Sequence, residues 1–222
     1  MATSEAMAAY AQKLRMHTSA QNKPVTEIAV FRLNPTYAMD HAAAAAEFES
    51  HCIKETTSGS VQGIRRTSWG FSRSDPETMV WMLDWDKIQD HWDFWQTPGF
   101  GPVMNTISKL FVPGRPLVRH YDFGEPGMVE SIWIRLFVWD EGREGTTPEG
   151  TRAKALATGD LGALTSVGIR QGYAVDLDEM TWYCLLLGYE NEDDASKEEA
   201  HPDYRGEDHV VELKFNVNTP ST

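Results

Sequence analysis

Two cysteines in 222 residues, Cys52 and Cys184, are too few for a disulfide scaffold or a cysteine-built zinc site. A reducing compartment, the cytoplasm, is therefore the expected setting. Basic residues are scarce as well. Lys and Arg number 20 against 33 Asp and Glu, a net charge of −13, which argues against nucleic acid or an anionic membrane face as partner. No apolar run approaches the roughly 20 residues that a spanning helix needs, so membrane insertion is not expected. Residues 1–24 contain no apolar core of a secretory signal and read as an arm or a short helix, Glu5 to Met16. A Gly-rich phosphate loop, an HExxH helix and a cysteine pair are all missing, so neither a nucleotide cofactor nor a metal is expected.

What the chain does have is a repeat. Gly63-Ile64-Arg65 opens a run through Trp69 and Phe71 that turns at Asp75-Pro76-Glu77 and continues Met79-Val80-Trp81-Met82-Leu83. Gly168-Ile169-Arg170 opens a second run through Tyr173 and Val175 that turns at Asp178-Glu179 and continues Met180-Thr181-Trp182-Tyr183-Cys184-Leu185. Such an echo signals a duplicated structural unit. The second copy is shorter by four residues, an even number, so each strand is expected to keep its inside/outside phase.

The pattern around the first hairpin completes a unit. Thr26–Leu33 alternates as a strand, and Asn34-Pro35-Thr36 stops it and starts a helix over Tyr37–Glu55, with Ala38, Ala42, Ala45, Phe48 and Cys52 on one face. After the hairpin, a helix carries Ile88, His91, Trp92 and Trp95 at spacings of three and four. Pro98-Gly99-Phe100-Gly101-Pro102 interrupts it, Val103–Phe111 resumes, and Pro116–Phe123 is a fourth strand. The order β-α-β-β-α-β is ferredoxin-like. A Gly124–Gly127 linker leads into Glu130–Trp139, a strand apolar on both faces, as in a layered structure. In this second half the helices thin to Thr151–Ala157 and a short piece within Asn191–Arg205, and Val210–Val217 closes as the last strand. The fold class is thus α+β: an arm over 1–24 and ferredoxin-like units over 25–123 and 130–217, fused so that two bare sheet faces bury each other as a pseudo-dimeric barrel.

Met79-Val80-Trp81-Met82-Leu83-Asp84-Trp85, followed by His91-Trp92-Asp93-Phe94-Trp95-Gln96 and Pro98, together with this strand order, resembles the dimeric α/β-barrel superfamily, in particular the antibiotic-biosynthesis-monooxygenase-like proteins. The tandem, Trp-rich form is similar to members from fungal natural-product pathways. The resemblance implies a cofactor-independent enzyme of secondary metabolism acting on a hydrophobic polycyclic or polyketide-like molecule, as a monooxygenase or as a cyclase, isomerase or pericyclase. It also admits a haem-binding or haem-degrading relative, and a non-catalytic binding or stress-response barrel filled by its own side chains. A homodimer is compatible with all of these.

The residues offered for chemistry are Arg135, His91, His120 and Asp84. His91, a helix histidine beside Trp95, suits a general base or a haem ligand. His120 alternates in a strand with Val118 and Asp122, opposite Arg119 and Tyr121, and either set can face inward. Arg135, between Trp133 and Phe137 on an apolar strand, needs a partner: a carboxylate such as Asp84 or Asp122, or a substrate oxyanion. Arg32 is expected as its counterpart in the first unit. Trp69, Phe71, Trp81, Trp95, Trp133, Phe137, Trp139, Tyr173, Trp182 and Tyr183 are the candidate substrate-lining rings, each of which also reads as a packed core residue.

Overall fold

The computed structural model describes residues 20–124, 127–141, 166–177, 179–197 and 206–217, with backbone alone over 114–117 and at 217. The helices expected within 1–24 and over Thr151–Ala157 lie outside the described residues. Strand β1 (Val25–Leu33) leads through the short α1 (Pro35–Ala38) into α2 (His41–Phe48), a π-helical turn over Glu49–Ile53 and α3 (Lys54–Thr57). The single helix expected over Tyr37–Glu55 is broken at its start, because Asp40 accepts the Ala43 N–H and caps α2 anew. Its buried side is Ala44, Phe48 and Cys52, whereas Ala42 is exposed. Hairpin β2 (Ile64–Phe71) and β3 (Thr78–Trp85) follows, then α4 (Ile88–Phe94), α5 (Phe100–Leu110) and β4 (Phe111–Tyr121), which starts earlier than the sequence suggested.

The second half contributes β5 (Trp133–Asp140), β6 (Gly168–Tyr173), β7 (Trp182–Tyr189), α6 (Glu192–Lys197), β8 (Glu207–Glu212) and β9 (Lys214–Val217). The single last strand expected over Val210–Val217 is split at Leu213. Its second piece, β9, crosses over to pair with β2 of the other unit. Ile132, expected in a strand, lies before β5 and is exposed.

Every strand pair among the described residues is antiparallel. The sheets have the orders β4-β1-β3-β2-β9 and β6-β7-β5-β8, so each half shows the ferredoxin-like order with its first strand central. The sheets meet at two seams. Ser72 bridges Val211 at one, and Tyr121 bridges Ala174 at the other, where the Val175 N–H also reaches the His120 carbonyl. Closure of this kind removes free sheet edges.

Alternation along the strands then separates three cores. Ile28, Val30, Val80, Met82, Ile134, Leu136, Val138, Cys184 and Leu186 fill the barrel interior. Ala29, Phe31, Trp69, Met79, Trp81, Leu83 and Trp85 face outward, under α2, α4 and α5. Phe137, Trp139, Tyr183, Leu185 and Leu187 face outward on the second sheet, where α6 contributes Ala195. This partition corrects the expected phase of the repeat. Trp81 faces the helices while Trp182 packs against the barrel interior, and β7 begins at Trp182, leaving Met180 exposed in the turn. Met79/Trp81 and Met180/Trp182 are therefore not equivalent. Likewise Arg32 sits exposed at the end of β1, paired with Glu77, and is no counterpart of the buried Arg135.

Candidate active site

Between the outer face of the first sheet and helices α4 and α5 lies a cavity of about 320 Å³. Phe31, Leu83, Phe94, Phe100, Val103 and Ile107 make most of its wall apolar. One end is polar, and there four buried titratable groups converge: Glu27 of β1, His91 of α4, His120 of β4, and Asp176 from the loop between β6 and β7. The parity of the strands aims these groups. Glu27 is on the outward face with Val25 and Ala29, and His120 is outward where Tyr121 is inward. Helical spacing brings His91 and Trp95 together, one turn apart. Asp176 arrives across the β4–β6 seam, so the second unit completes a site built on the first.

These groups form an ordered chain. The Trp95 indole N–H donates to His91 Nε2 at 2.7 Å, which makes that nitrogen an acceptor and leaves the ring proton on Nδ1. His91 Nδ1 lies 2.7 Å from His120 Nε2, and His120 Nδ1 lies 2.8 Å from Asp176 Oδ1. The only assignment that satisfies every link has each ring donating from Nδ1, toward Asp176. Asp176 Oδ2 also accepts the His120 backbone N–H at 2.6 Å, which fixes the carboxylate. Beside the chain, Glu27 Oε2 accepts the Trp85 indole N–H at 2.9 Å and stands 3.6 Å from His91 Nδ1 and 3.9 Å from His120 Nε2. The Trp85 and His91 rings stack with centroids 4.8 Å apart.

Electrostatics grades the chain in the same direction. Burial, with the neighbouring His120 charge, drives the His91 pKa well below that of an ordinary imidazole. At His120 burial works against the charged form too, but the charge and hydrogen bond of Asp176, and the charge of Glu27, outweigh it and raise the pKa. Burial alone would raise Asp176, yet its bonds to His120 hold the carboxyl below the usual range. Glu27 is raised, chiefly by burial. A proton taken up at His91 thus finds its lowest free energy at His120, next to Asp176.

Of the four residues offered for chemistry, the structure brings two together, His91 and His120. Asp84 points to the barrel side. It accepts from Thr26 Oγ1 at 2.6 Å, from Arg66 and from the Met128 N–H, and so anchors the linker. Gly127, with φ of +89°, is required there, because a Cβ would stand 2.6 Å from Asp84 Oδ2. Arg135 is outward on the second sheet, away from the cavity. Its Nε and Nη2 bind both oxygens of Asp208 at 2.8 and 2.7 Å, and it lies over Phe137. The partner is neither Asp84 nor Asp122, and no substrate oxyanion is needed to balance the charge.

Of the ten rings, Trp81 and Trp95 line the cavity. Trp69 is buried against Phe48 and Phe71, and Phe71 stacks on His41. Trp133, Phe137, Trp139, Tyr173 and Tyr183 belong to the second sheet's outer side, and Trp182 lies under Arg119 at 3.6 Å. Sequence reasoning missed Glu27, Trp85 and Asp176. Glu27 carried a signal, a lone acid at an outward position of an otherwise apolar strand; Asp176 carried none. Haem ligation by His91 would require breaking one of its two ring contacts, Nδ1 with His120 or Nε2 with Trp95.

No family model matches this chain, and no curated protein matches it. Solved structures do. An anthrone oxidase-like protein superposes with a TM-score of 0.61 at 10% identity, over 89% of this chain and 94% of that one. A candidate monooxygenase from Lactobacillus acidophilus NCFM gives 0.52 at 11% identity, over 89% and 97%. A candidate chlorite dismutase gives 0.54 at 11% identity, over 87% and 95%. The chain therefore shares the two-unit, ferredoxin-like barrel fold of these solved structures.

Proposed function

We propose that this chain is a cofactor-independent enzyme of secondary metabolism that removes a proton from a hydrophobic polycyclic or polyketide-like substrate held in the cavity. The observation that carries the reading is the directed chain Trp95–His91–His120–Asp176 at the polar end of an apolar pocket. A substrate C–H or O–H takes the place of the Trp95 N–H at His91 Nε2. As Nε2 gains that proton, Nδ1 passes its own to His120 Nε2, and the resulting imidazolium is paired with Asp176. His91 holds a proton poorly and His120, beside Asp176, holds it better, so a proton taken from the substrate is passed on to His120 rather than returned. The apolar wall leaves the conjugate carbanion or enolate little water to recapture a proton from.

Such an anion can react with O2 or close a ring onto an internal electrophile. The likeness to an anthrone oxidase-like protein supports the first course. The self-filled barrel interior would suit a non-catalytic protein, but the cavity lies outside that interior and ends in a polarised base. The test is O2 uptake with a hydroxylated anthrone as probe, comparing the unsubstituted protein with His91→Ala. Loss of about 10²–10⁴-fold in kcat/KM is expected for a general base. Equal rates in a folded His91→Ala protein would refute the reading.

A further inference from the structure

Three atoms of metal-ligating type, from separate elements, converge at the polar end of the cavity. His91 Nδ1, His120 Nε2 and a Glu27 oxygen all lie within 4.8 Å of one another, with separations of 2.7, 3.6 and 3.9 Å to Glu27 Oε2 and between the rings. Around a zinc-like ion with bonds of about 2.1 Å, tetrahedral donors stand about 3.4 Å apart. The observed triangle averages close to that, and its short side is the His91–His120 hydrogen bond that an ion would replace. We infer that Glu27, His91 and His120 form a site for one divalent transition-metal ion of the zinc, cobalt or iron(II) class, with its remaining coordination position open to the cavity.

Two observations besides the convergence support this. Asp176 binds His120 Nδ1, which fixes Nε2 as the nitrogen with the lone pair and supplies the carboxylate–histidine–metal arrangement that orients metal ligands. Glu27 is buried and, among the described residues, no Lys or Arg partners it; a buried carboxylate is stabilised by pairing or by a metal. Two imidazoles and one carboxylate are a donor set for zinc and for iron(II), and three protein ligands leave an open position. Sequence spacing could not announce such a site, because the ligands come from β1, α4 and β4. One local change is required. With metal on Nδ1, His91 carries its proton on Nε2, so the half-buried Trp95 indole must turn away from it.

The inference goes beyond the proton-transfer reading and stands apart from it. The ion takes the His120 Nε2 lone pair that the relay needs and displaces the His91 Nδ1 proton, so metal-free and metal-loaded protein are alternative states of one cluster. Binding is measured without substrate, and its failure would leave the proposed base untouched.

The experiment uses the full chain, stripped with a chelator and dialysed. Zn2+ is titrated by calorimetry, and Co2+ by visible absorption and tryptophan fluorescence. Expected are one equivalent bound, Co2+ ligand-field bands, altered Trp emission as Trp95 leaves His91, and hyperfine-shifted imidazole N–H signals from two histidines. Asp176→Asn should weaken binding by about 10–100-fold, and Glu27→Gln and His120→Gln by more. His41→Ala and His51→Ala, at the surface, should change nothing. Absence of a one-equivalent complex in the unsubstituted protein overturns the inference, and this needs no variant to fold. Binding that survives in Glu27→Gln and His120→Gln, or that disappears in His51→Ala, marks an adventitious surface site and overturns it equally.

Discussion

Replacing Asp176 by Asn changes one atom at the end of the hydrogen-bond chain and should be felt three residues away. The amide keeps the shape, and its oxygen can still accept the His120 backbone N–H, now 2.6 Å from the carboxylate. Its NH2 then faces His120 Nδ1 and donates, forcing that ring's proton onto Nε2. His120 would donate to His91 Nδ1, which pushes the His91 proton to Nε2, directly against the Trp95 N–H that now sits 2.7 Å away. Either a donor–donor clash is relieved by rotating Trp95, or the amide turns and leaves His120 Nδ1 without its charged partner. The cost is one charge-assisted hydrogen bond, about 1.5–3 kcal/mol. The catalytic cost is larger, because the wrong tautomer has no lone pair at His91 Nε2: a fall of about 10²–10⁴-fold in turnover.

The pH dependence of stability carries its own sign. His120 is raised above 6.5, so its contribution is complete below 6.5 and is lost as pH rises through its folded value. Asp176 is lowered below 3.8, so its contribution is complete above 3.8 and is lost as pH falls through its folded value. The stability gap between the unsubstituted protein and Asp176→Asn should therefore be widest between pH 3.8 and 6.5 and narrow on both sides. The assays are urea unfolding across pH and 15N NMR of the imidazoles, which reads the tautomers directly. Unchanged tautomers, or turnover within about threefold, would refute the chain as drawn.

Arg135→Met should lower stability by about 3 kcal/mol, since it strands Asp208 while leaving the cavity intact; urea midpoint falls and turnover holds. A loss of turnover without a loss of stability would return Arg135 to the chemistry. Leu136→Ala, in the barrel interior, should cost about 2–5 kcal/mol by leaving a void and should likewise spare turnover, because the interior is packed core. Tightened substrate binding in that variant would place the pocket inside the barrel and contradict the assignment.

Local information in the sequence reached far. The strand order follows from period-two alternation broken by turns. The pairing of His91 with Trp95 follows from helical spacing, and a helix within the acidic Asn191–Arg205 stretch is found at Glu192–Lys197. What alternation alone could not supply was absolute phase. In the second hairpin the strand begins at Trp182, so the matching Met-x-Trp letters fall on opposite faces, Trp81 toward the helices and Trp182 toward the barrel. Strand phase is set by pairing with β5 and by closure at the seams, which no local window contains.

The same physics divides the site. His91 was readable because its helix presents it, while His120 stood in a strand whose faces were both plausible until closure turned Tyr121 inward. Arg135 was read correctly as a charge that needs a partner, but the partner, Asp208, is supplied by β8. Asp176 is the extreme case. It is one acid among 33 in an acidic chain, and only the β4–β6 seam carries it from the second unit to within 2.8 Å of His120 in the first. The sequence by itself determined the run of strands and helices along the first unit and the strands of the second, though not the break in the first helix or the split of the last strand. The tertiary structure alone decided which side chains share one buried, low-dielectric space, and hence which of them can exchange a proton.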